Sequence, residues 1–294
     1  MPQPTSLPTP PCLPAEWRMN RIIDFIDAHL DETLTLDRLA SQAHLSRFHF
    51  LRLFQAWTRE APYAFVRRRR LEYGASQLLY SSLSITTVAG ACGFDSSDGF
   101  TRAFRQHFGL APLSWRHLRQ DQVRSALAVP STRAAWSHRF AYRPPVRVAY
   151  LRLVGPYGQA DGADWARLSD WLNCHGVTGT TRFGMGLDDP SLTAPIHCRY
   201  DLCAELPESF PCPSGTPHKM IAGGTFAILS YQGLRENSAR AWHHLLDVVI
   251  PRSSYCLAPG PAFERYATHV DPAANILDCE LCLPVRRRAL GLVV

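Results

Sequence analysis

The chain of 294 residues carries a net charge of +6, and its length suits two domains of ordinary size. The charge is distributed unevenly. Residues 38–119 contain twelve Arg and four acidic residues, whereas residues 145–294 contain thirteen basic and fourteen acidic residues. Only the front half is therefore predicted to bind a polyanion. Nine cysteines, an odd number, argue against a secreted disulfide scaffold. No apolar run approaches the roughly 20 residues of a membrane span. Together these features predict a cytoplasmic protein without a membrane partner.

The N-terminal stretch, residues 1–16, is predicted to be disordered because six of the first fourteen residues are proline. It has neither a basic start nor an apolar core, so it is not expected to be a signal peptide. A first helix follows and is predicted to end at Asp31-Glu32. Its inward residues are Ile22, Ile23, Phe25, Ile26 and Leu30.

A short helix, a turn and a second helix are predicted over residues 36–58. The turn is Ala43-His44-Leu45, and Ser46 is in position to cap the second helix. The inward residues of the two helices are Leu36, Leu39, Ala40, Phe50, Leu53 and Phe54.

The same arrangement recurs from Ser84 to Arg116. A turn at Cys92-Gly93-Phe94 separates two apolar stripes, and Ser96 or Ser97 is in position to cap the second helix. The first stripe repeats the earlier one at an offset of 49 residues, and the second repeats it at an offset of 50. The sequence therefore predicts an internal duplication of a helix-turn-helix unit.

A long connecting helix between the two units is predicted to begin at Pro62. It carries the run Arg67–Arg70. Such a run is more often a solvated face, but between two recognition helices its guanidinium groups are predicted to contact the phosphates of the intervening minor groove. Arg67 and Arg68 are the candidates for these contacts, and at least one member of the run is expected to pair with Glu72.

These features make residues 17–119 resemble the DNA-binding domain of the AraC family of bacterial transcription regulators. The resemblance is carried by LTLDRLA, LSRFHFLRLF, SITTVAGACGFDSSDGFTRAFRQHFG and the closing Ala111–Arg116. It implies an all-α domain over residues 17–120, in which two helix-turn-helix units joined by a linker helix enter successive major-groove segments. The expected partners are double-stranded DNA and RNA polymerase, and the expected state is a monomer or weak dimer.

The resemblance also implies which side chains meet DNA. Arg52 and Arg102 occupy equivalent places in the two units and are the first candidates for base contacts. His44 and Arg59 replace glycines of the family pattern, which predicts a left-handed backbone at His44. The full set of DNA-facing candidates on the two recognition helices is Arg47, Phe48, Leu51, Arg52, Ser97, Asp98, Gly99, Thr101, Arg102 and Arg105.

Residues 121–135 lose clear periodicity and are predicted to be a linker. Strands dominate the following domain, residues 136–294, and a second repeat appears there at an offset of 77 residues. Trp165 matches Trp242, for example, and each copy reads strand, helix, strand, strand. This pattern predicts an α+β domain of two pseudo-symmetric repeats with a cleft between them.

The second domain resembles the GyrI-like small-molecule-binding domain of multidrug-responsive regulators. The motifs are GPY at residues 155–157, the tryptophans of residues 165–171, GPAFERY at residues 260–266 and ILDCELCLPV at residues 276–285. The resemblance implies a cleft with aromatic walls in which a carboxylate, here Glu264, meets a cationic effector. Glu264 could instead pair with Arg265, and the tryptophans could be core residues. The other candidates for effector binding are Tyr157, Trp165, Trp171, Trp242, Tyr255, Phe263 and Glu280.

The combined prediction is a sequence-specific DNA-binding transcription regulator, not an enzyme, whose second domain binds a small lipophilic cation. Two alternatives remain for that domain: a hydrolase with Glu264 as base beside Tyr255 or Tyr157, or a protein-interaction module. No cofactor or metal site is predicted. Cys279 and Cys282 form a CxxC motif, but they lie in a predicted strand and are expected to be buried thiols.

Overall fold

The computed structural model of the protein describes residues 14–128, 136–212, 216–267, 271 and 274–288. Residues 1–13, within the stretch predicted to be disordered, and residues 129–135, within the predicted linker, lie outside these ranges. Helix α1 already begins at Pro14, and residues 121–128 of the predicted linker continue the seventh helix.

Residues 14–128 form a helical domain. Helices α2 and α3 occupy the first predicted helix-turn-helix unit, helices α5 and α6 occupy the second, and α4 connects the two. The bounds are α1 Pro14–Ala28, α2 Leu36–Gln42, α3 Arg47–Thr58, α4 Pro62–Tyr80, α5 Ile85–Ala91, α6 Ser97–Phe108 and α7 Pro112–Ala128.

Helix α4 contributes to two hydrophobic cores. Its first half buries Phe65 and Val66 among residues of α1, α2 and α3. Its second half buries Leu71, Ala75 and Leu78 among residues of α5, α6 and α7. Because one continuous helix belongs to both cores, the two units are held at a fixed separation.

Serine side chains cap the N-termini of α3 and α6. Ser46 Oγ accepts a hydrogen bond from the backbone N–H of His49 (3.4 Å), and Ser96 Oγ accepts one from the N–H of Gly99 (3.1 Å). These contacts satisfy donors that have no partner inside the helix. Of the two predicted candidates in the second unit, Ser96 is therefore the cap.

Left-handed residues lie before and after both α3 and α6. In the first unit they are His44 and Arg59, with φ of 53° and 60°. In the second unit they are Gly93 and Gly109, with φ of 68° and 80°. The left-handed backbone predicted at His44 is present, and Arg59 has the same conformation.

Residues 136–288 form one antiparallel sheet with two helices. A π-helical turn, Leu245–Val249, continues the second helix. The bounds are β1 His138–Arg143, β2 Val146–Val154, α8 Gly162–Cys174, β3 Arg182–Gly186, β4 Arg199–Glu205, β5 His218–Ile221, β6 Gly224–Leu234, α9 Ser238–His244, β7 Tyr255–Leu257, β8 Ala262–Tyr266 and β9 Ile276–Arg287.

The strand order is β1-β6-β9-β8-β3-β4-β2-β5, with the short β7 paired to β9. From the central pair β3–β8, the order runs through β4, β2 and β5 on one side and through β9, β6 and β1 on the other. Helix α8 packs against β4 and α9 against β6. Both helices bury their apolar sides in the core on one face of the sheet, which is called the helix-covered face below. The central pair therefore lies between the two helices.

The opposite face of the sheet contacts the helical domain through ion pairs. Arg152 Nη2 donates to Asp24 Oδ1 on α1 (2.7 Å), and Arg199 Nη1 donates to Asp27 Oδ2 (2.6 Å). Burial opposes ionisation of Asp27, but the charges of Arg199 and Arg69 hold its pKa well below the usual range. Among the described residues, no helix has the length and apolar character needed to cross a membrane.

Candidate DNA interface and effector site

Helices α3 and α6 each bury one face and expose the other. The inward Phe50, Phe54, Phe100 and Phe104 are fully buried, which fixes both helices against their cores. The outward candidates are therefore available to a ligand. Arg47, Phe48, Arg52, Asp98, Arg102 and Arg105 are exposed, and Leu51, Ser97, Gly99 and Thr101 are partly exposed.

The first recognition helix has two further features at its N-terminal end. Phe48 is 73% exposed, which is unusual for a large apolar side chain in water. Arg47 forms an ion pair with Asp37 on α2, and both side chains are exposed. Because an exposed ion pair contributes little stability, a DNA phosphate could take the place of Asp37.

Arg68 is not available for the predicted phosphate contact. Its side chain is 10% exposed, and its guanidinium donates to Glu60 (2.6 Å) and Glu72 (3.1 Å). Burial alone would lower the pKa of Arg68, but the two carboxylates raise it above the usual value. The carboxylates of the protein itself occupy donors of Arg68, which argues against the predicted phosphate contact.

The other members of the run Arg67–Arg70 also have protein partners. Arg67 is partly exposed and donates to Gln106 on α6 (3.0 Å). Arg69 binds Asp27, Glu72 and Asp188. Arg70 donates from Nε to the carbonyl of Leu30 (2.9 Å) and from Nη2 to that of Glu32 (2.6 Å). The connecting helix thus uses most of its positive charge to join elements of the protein, and of the two phosphate candidates only Arg67 remains.

Glu264 lies on β8, on the helix-covered face of the sheet, and is 8% exposed. Its Oε2 accepts hydrogen bonds from the hydroxyls of Tyr200 (2.7 Å) and Tyr266 (2.5 Å). Burial and the charge of Glu264 raise the pKa of both phenols well above the usual value, so both remain donors. Glu264 is therefore a buried acidic group held by two tyrosine hydroxyls on a central strand of the sheet.

Gly184 on β3 is the cross-strand neighbour of Glu264. A Cβ atom at this position would lie 1.8 Å from the Tyr200 hydroxyl and 2.9 Å from Glu264 Oε2. No side chain fits there, so the glycine provides the space in which Tyr200 reaches Glu264.

Two predicted effector candidates, Phe263 and Glu280, lie on the face of the sheet opposite to Glu264. Phe263 is buried with Phe183 and Phe226 on the face opposite to Glu264, because successive strand residues point to opposite sides. Glu280, which is paired with Arg265 in the register, binds the guanidinium groups of three arginines. Burial opposes ionisation of Glu280, but the hydrogen bond from Arg139 and the surrounding arginine charges lower its pKa.

The other aromatic candidates occupy different surroundings. Trp165 is 4% exposed, belongs to the core on the helix-covered face and contacts the ring of Tyr266 edge-on, with centroids 6.0 Å apart. Trp171 stacks on His175, and Trp242 is a partly buried neighbour of the same core. Only Trp165 among these is shown in contact with a tyrosine that binds Glu264.

Neither tyrosine of the predicted hydrolase pair is hydrogen-bonded to Glu264. Tyr255 stacks on Phe140 with the rings 4.4 Å apart. The hydroxyl of Tyr157 accepts from the N–H of Asp188 (2.9 Å) and lies 2.7 Å and 3.1 Å from the carbonyls of Asp188 and Arg199. Tyr157 thus fixes the backbone after β3.

Sequence reasoning missed Tyr200 and Gly184. Both meet Glu264 through the pairing of β3 with β4 and β8, which no local pattern reveals. Alternation along the strand does indicate Tyr266, two residues after Glu264 and on the same face.

The CxxC motif is divided between the two faces of β9. Cys279 lies in the core on the helix-covered face, and Cys282 lies in the core on the other face. Burial raises the pKa of both thiols, that of Cys282 to about 12. Within the part of the chain that the structure describes, no group of three or more His, Cys, Asp or Glu side chains is arranged to hold a metal ion.

Comparison with known families agrees with this architecture. Residues 39–118 match a family described as a helix-turn-helix domain, and residues 137–286 match the GyrI-like small molecule binding domain. The chain therefore belongs to the GyrI-like family, here combined with an AraC-type DNA-binding domain as found in transcription regulators.

Several characterised proteins are similar to this chain. The right origin-binding protein of Escherichia coli is 25% identical over 90% of this chain and 97% of its own length. The transcriptional regulator Rob of Salmonella typhimurium is 24% identical over the same shares. A DNA gyrase inhibitor of Edwardsiella piscicida is 32% identical and covers 47% of this chain and 90% of its own length. The first two relatives thus match both domains, and the third matches about half of the chain.

Proposed function

We propose that this transcription regulator reads a specific DNA sequence with α3 and α6 and binds a small lipophilic cation beside Glu264. The first part is supported by the exposed Arg52 and Arg102, which can donate to guanine in the major groove. The name of one relative, right origin-binding protein, and that of another, transcriptional regulator Rob, point in the same direction. RNA polymerase is the partner through which transcription would respond.

One observation carries the second part. Asp27, Glu72, Asp188 and Asp201 are carboxylates of this protein with largely buried side chains, and each pairs with arginine or lysine. Glu264 differs, since in the described ranges no Arg, Lys or His nitrogen forms an ion pair with it and its partners are two hydroxyls. A buried carboxylate without a counter-ion is costly. A cation that enters between the helices would supply the missing charge, and the aromatic rings of Tyr200 and Tyr266, which lie beside Glu264, would favour it.

Calorimetry with tetraphenylphosphonium tests this proposal. The wild type should bind the cation, and Glu264→Gln should weaken binding at least about tenfold because it removes the negative charge. The control is Glu236→Gln, which removes an exposed carboxylate of the same domain and should leave affinity unchanged. Equal affinity of Glu264→Gln and wild type would reject Glu264 as the cation site.

Calorimetry with other small molecules, including esters and amides, separates the alternatives. A hydrolase would turn over an ester or amide substrate and lose that turnover in Glu264→Gln. A protein-interaction module would give no heat with any small cation. The hydrogen bonds of Glu264 to Tyr200 and Tyr266, rather than to Tyr157 or Tyr255, favour binding over the predicted hydrolase machinery.

A further inference from the structure

Strand β4 joins the proposed effector site to the contact between the two domains. Tyr200 points to the helix-covered face, where its hydroxyl holds Glu264. Its neighbours Arg199 and Asp201 point to the opposite face, where the helical domain lies. Because the same strand carries side chains on both faces of the sheet, a displacement of β4 moves both sets of side chains.

The contacts on the domain side are buried and charged. The Asp188 carboxylate accepts from Arg199 Nη2 (2.7 Å) and from Arg69 Nη1 of α4 (2.6 Å). The side chains of Asp188 and Arg199 are 0% and 3% exposed. Arg199 also reaches Asp27 of α1. Ion pairs of this kind depend strongly on geometry, because each charge is expensive when its partner moves away.

Tyr157 provides a second connection between the two sides. Its ring centroid lies 5.8 Å from that of Tyr200. Its hydroxyl holds the backbone of Asp188 and Arg199. Tyr157 therefore contacts both the Tyr200 ring and the segment that carries the charged pair.

We propose that occupation of the Glu264 site loosens the contact between the domains through Tyr200 and β4, an inference that rests on the proposed effector site. Because Glu264 is 8% exposed, a cation beside it needs space that the Tyr200 side chain occupies. Tyr200 cannot move towards β3, because Gly184 lies directly against its hydroxyl. It moves with β4 or towards Tyr157, and either displacement shifts Arg199 away from Asp27 and Asp188.

Amide hydrogen exchange on the full chain tests the connection without any effector. Tyr200→Phe removes the hydroxyl and should accelerate exchange of α1 around Asp24 and Asp27 about fivefold, the lower end of typical coupling. Tyr142→Phe, a change at a tyrosine 69% exposed on β1, is the matched control. Exchange of α1 at the same rate in both variants would overturn the proposal, whether or not any cation binds.

Reciprocity gives the second measurement. Since coupling acts equally in both directions, Asp27→Asn should raise the affinity for tetraphenylphosphonium about fivefold, although Asp27 lies in the other domain. Asp31→Asn, an exposed carboxylate just beyond α1, should not change it. In the Tyr200→Phe background the effect of Asp27→Asn should disappear. Equal affinities of the Asp27 and Asp31 variants overturn the coupling. Absence of cation binding to the wild type rejects the proposed effector instead, and hydrogen exchange then decides the coupling alone.

Discussion

The two helix-turn-helix units place the same backbone conformation on different residues. The first unit has His44 and Arg59 at its left-handed positions, whereas the second has Gly93 and Gly109. A Cβ atom at Gly93 would lie 2.4 Å from the carbonyl oxygen of Leu30. A Cβ atom at Gly109 would have no described atom within 4 Å apart from its own chain neighbours. His44 and Arg59 are both exposed. Close contact, rather than the dihedral angle, therefore decides where glycine is required.

After each unit, an arginine of the next helix binds the end of the helix that precedes the unit. These arginines are Arg70 on α4 and Arg116 on α7. Arg70 donates to the carbonyls of Leu30 and Glu32 beyond α1. Arg116 donates to the carbonyls of Leu78, in the last turn of α4, and Leu83. Gly93 lies against the guanidinium of Arg70, so the second unit contacts the anchor of the first.

The largest effect is expected from Gly93→Ala. The new methyl group would collide with the backbone of Leu30 and add left-handed strain, so the free energy of unfolding should fall by more than about 3 kcal/mol. Urea denaturation measures this loss. His44→Ala, the equivalent change in the first unit, should stay within about 0.5 kcal/mol of the wild type. Equal losses in the two variants would contradict the role assigned to close contact.

Removal of the equivalent arginines should separate the units in DNA binding. Arg52→Ala and Arg102→Ala should each weaken binding by about 1 to 3 kcal/mol, with the larger loss at Arg52 because α6 begins with Ser97, Asp98 and Gly99. Fluorescence anisotropy with a site selected from random DNA measures both. Arg240→Ala on α9 is the control. Retention of the wild-type sequence preference by both arginine variants would reject the assignment.

A smaller loss is expected from Gly109→Ala. Its φ of 80° disfavours a side chain, but the open space around it leaves the dihedral cost of about 1 kcal/mol as the main term. Denaturation under the same conditions compares it directly with Gly93→Ala. A loss as large as that of Gly93→Ala would mean that the contact at Gly93 adds nothing.

The smallest effect is a gain. His44→Gly places the favoured residue at a left-handed position, and relief of strain should exceed the entropy cost of glycine by about 0.5 kcal/mol. The midpoint of urea denaturation should rise slightly. A decrease would show that the His44 side chain stabilises the turn by contacts.

Local patterns were enough to predict several features of the helical domain, but not the continuation of α7 into the predicted linker. The serine caps, the start of α4 at Pro62 and the left-handed His44 each depend on residues a few positions apart, and all three are present. The pairing of Arg68 with Glu60, eight residues away in the preceding turn, was not predicted. The docking of Arg69 to Asp188 spans 119 residues, which no local pattern can reveal.

In the second domain the sequence indicated Glu264 but not its surroundings. Alternation along β8 would have excluded Phe263, since adjacent strand residues point to opposite faces. Tyr200 could not be found in this way, because the strands that bring it to Glu264 are paired across long separations. The residue type identified the charge, and the sheet pairing determined its partners.

Because α4 contributes to both hydrophobic cores of the helical domain, its length is constrained. One residue inserted between Val66 and Leu71 would rotate the rest of the helix by about 100° and advance it by about 1.5 Å. The second core and α6 would then turn relative to α3, and the two helices proposed to read DNA would no longer face the same side. Single substitutions along α4 leave its length and the separation of the two cores unchanged. An insertion changes both. Related proteins are therefore expected to vary in the length of the surrounding loops but not in the length of α4.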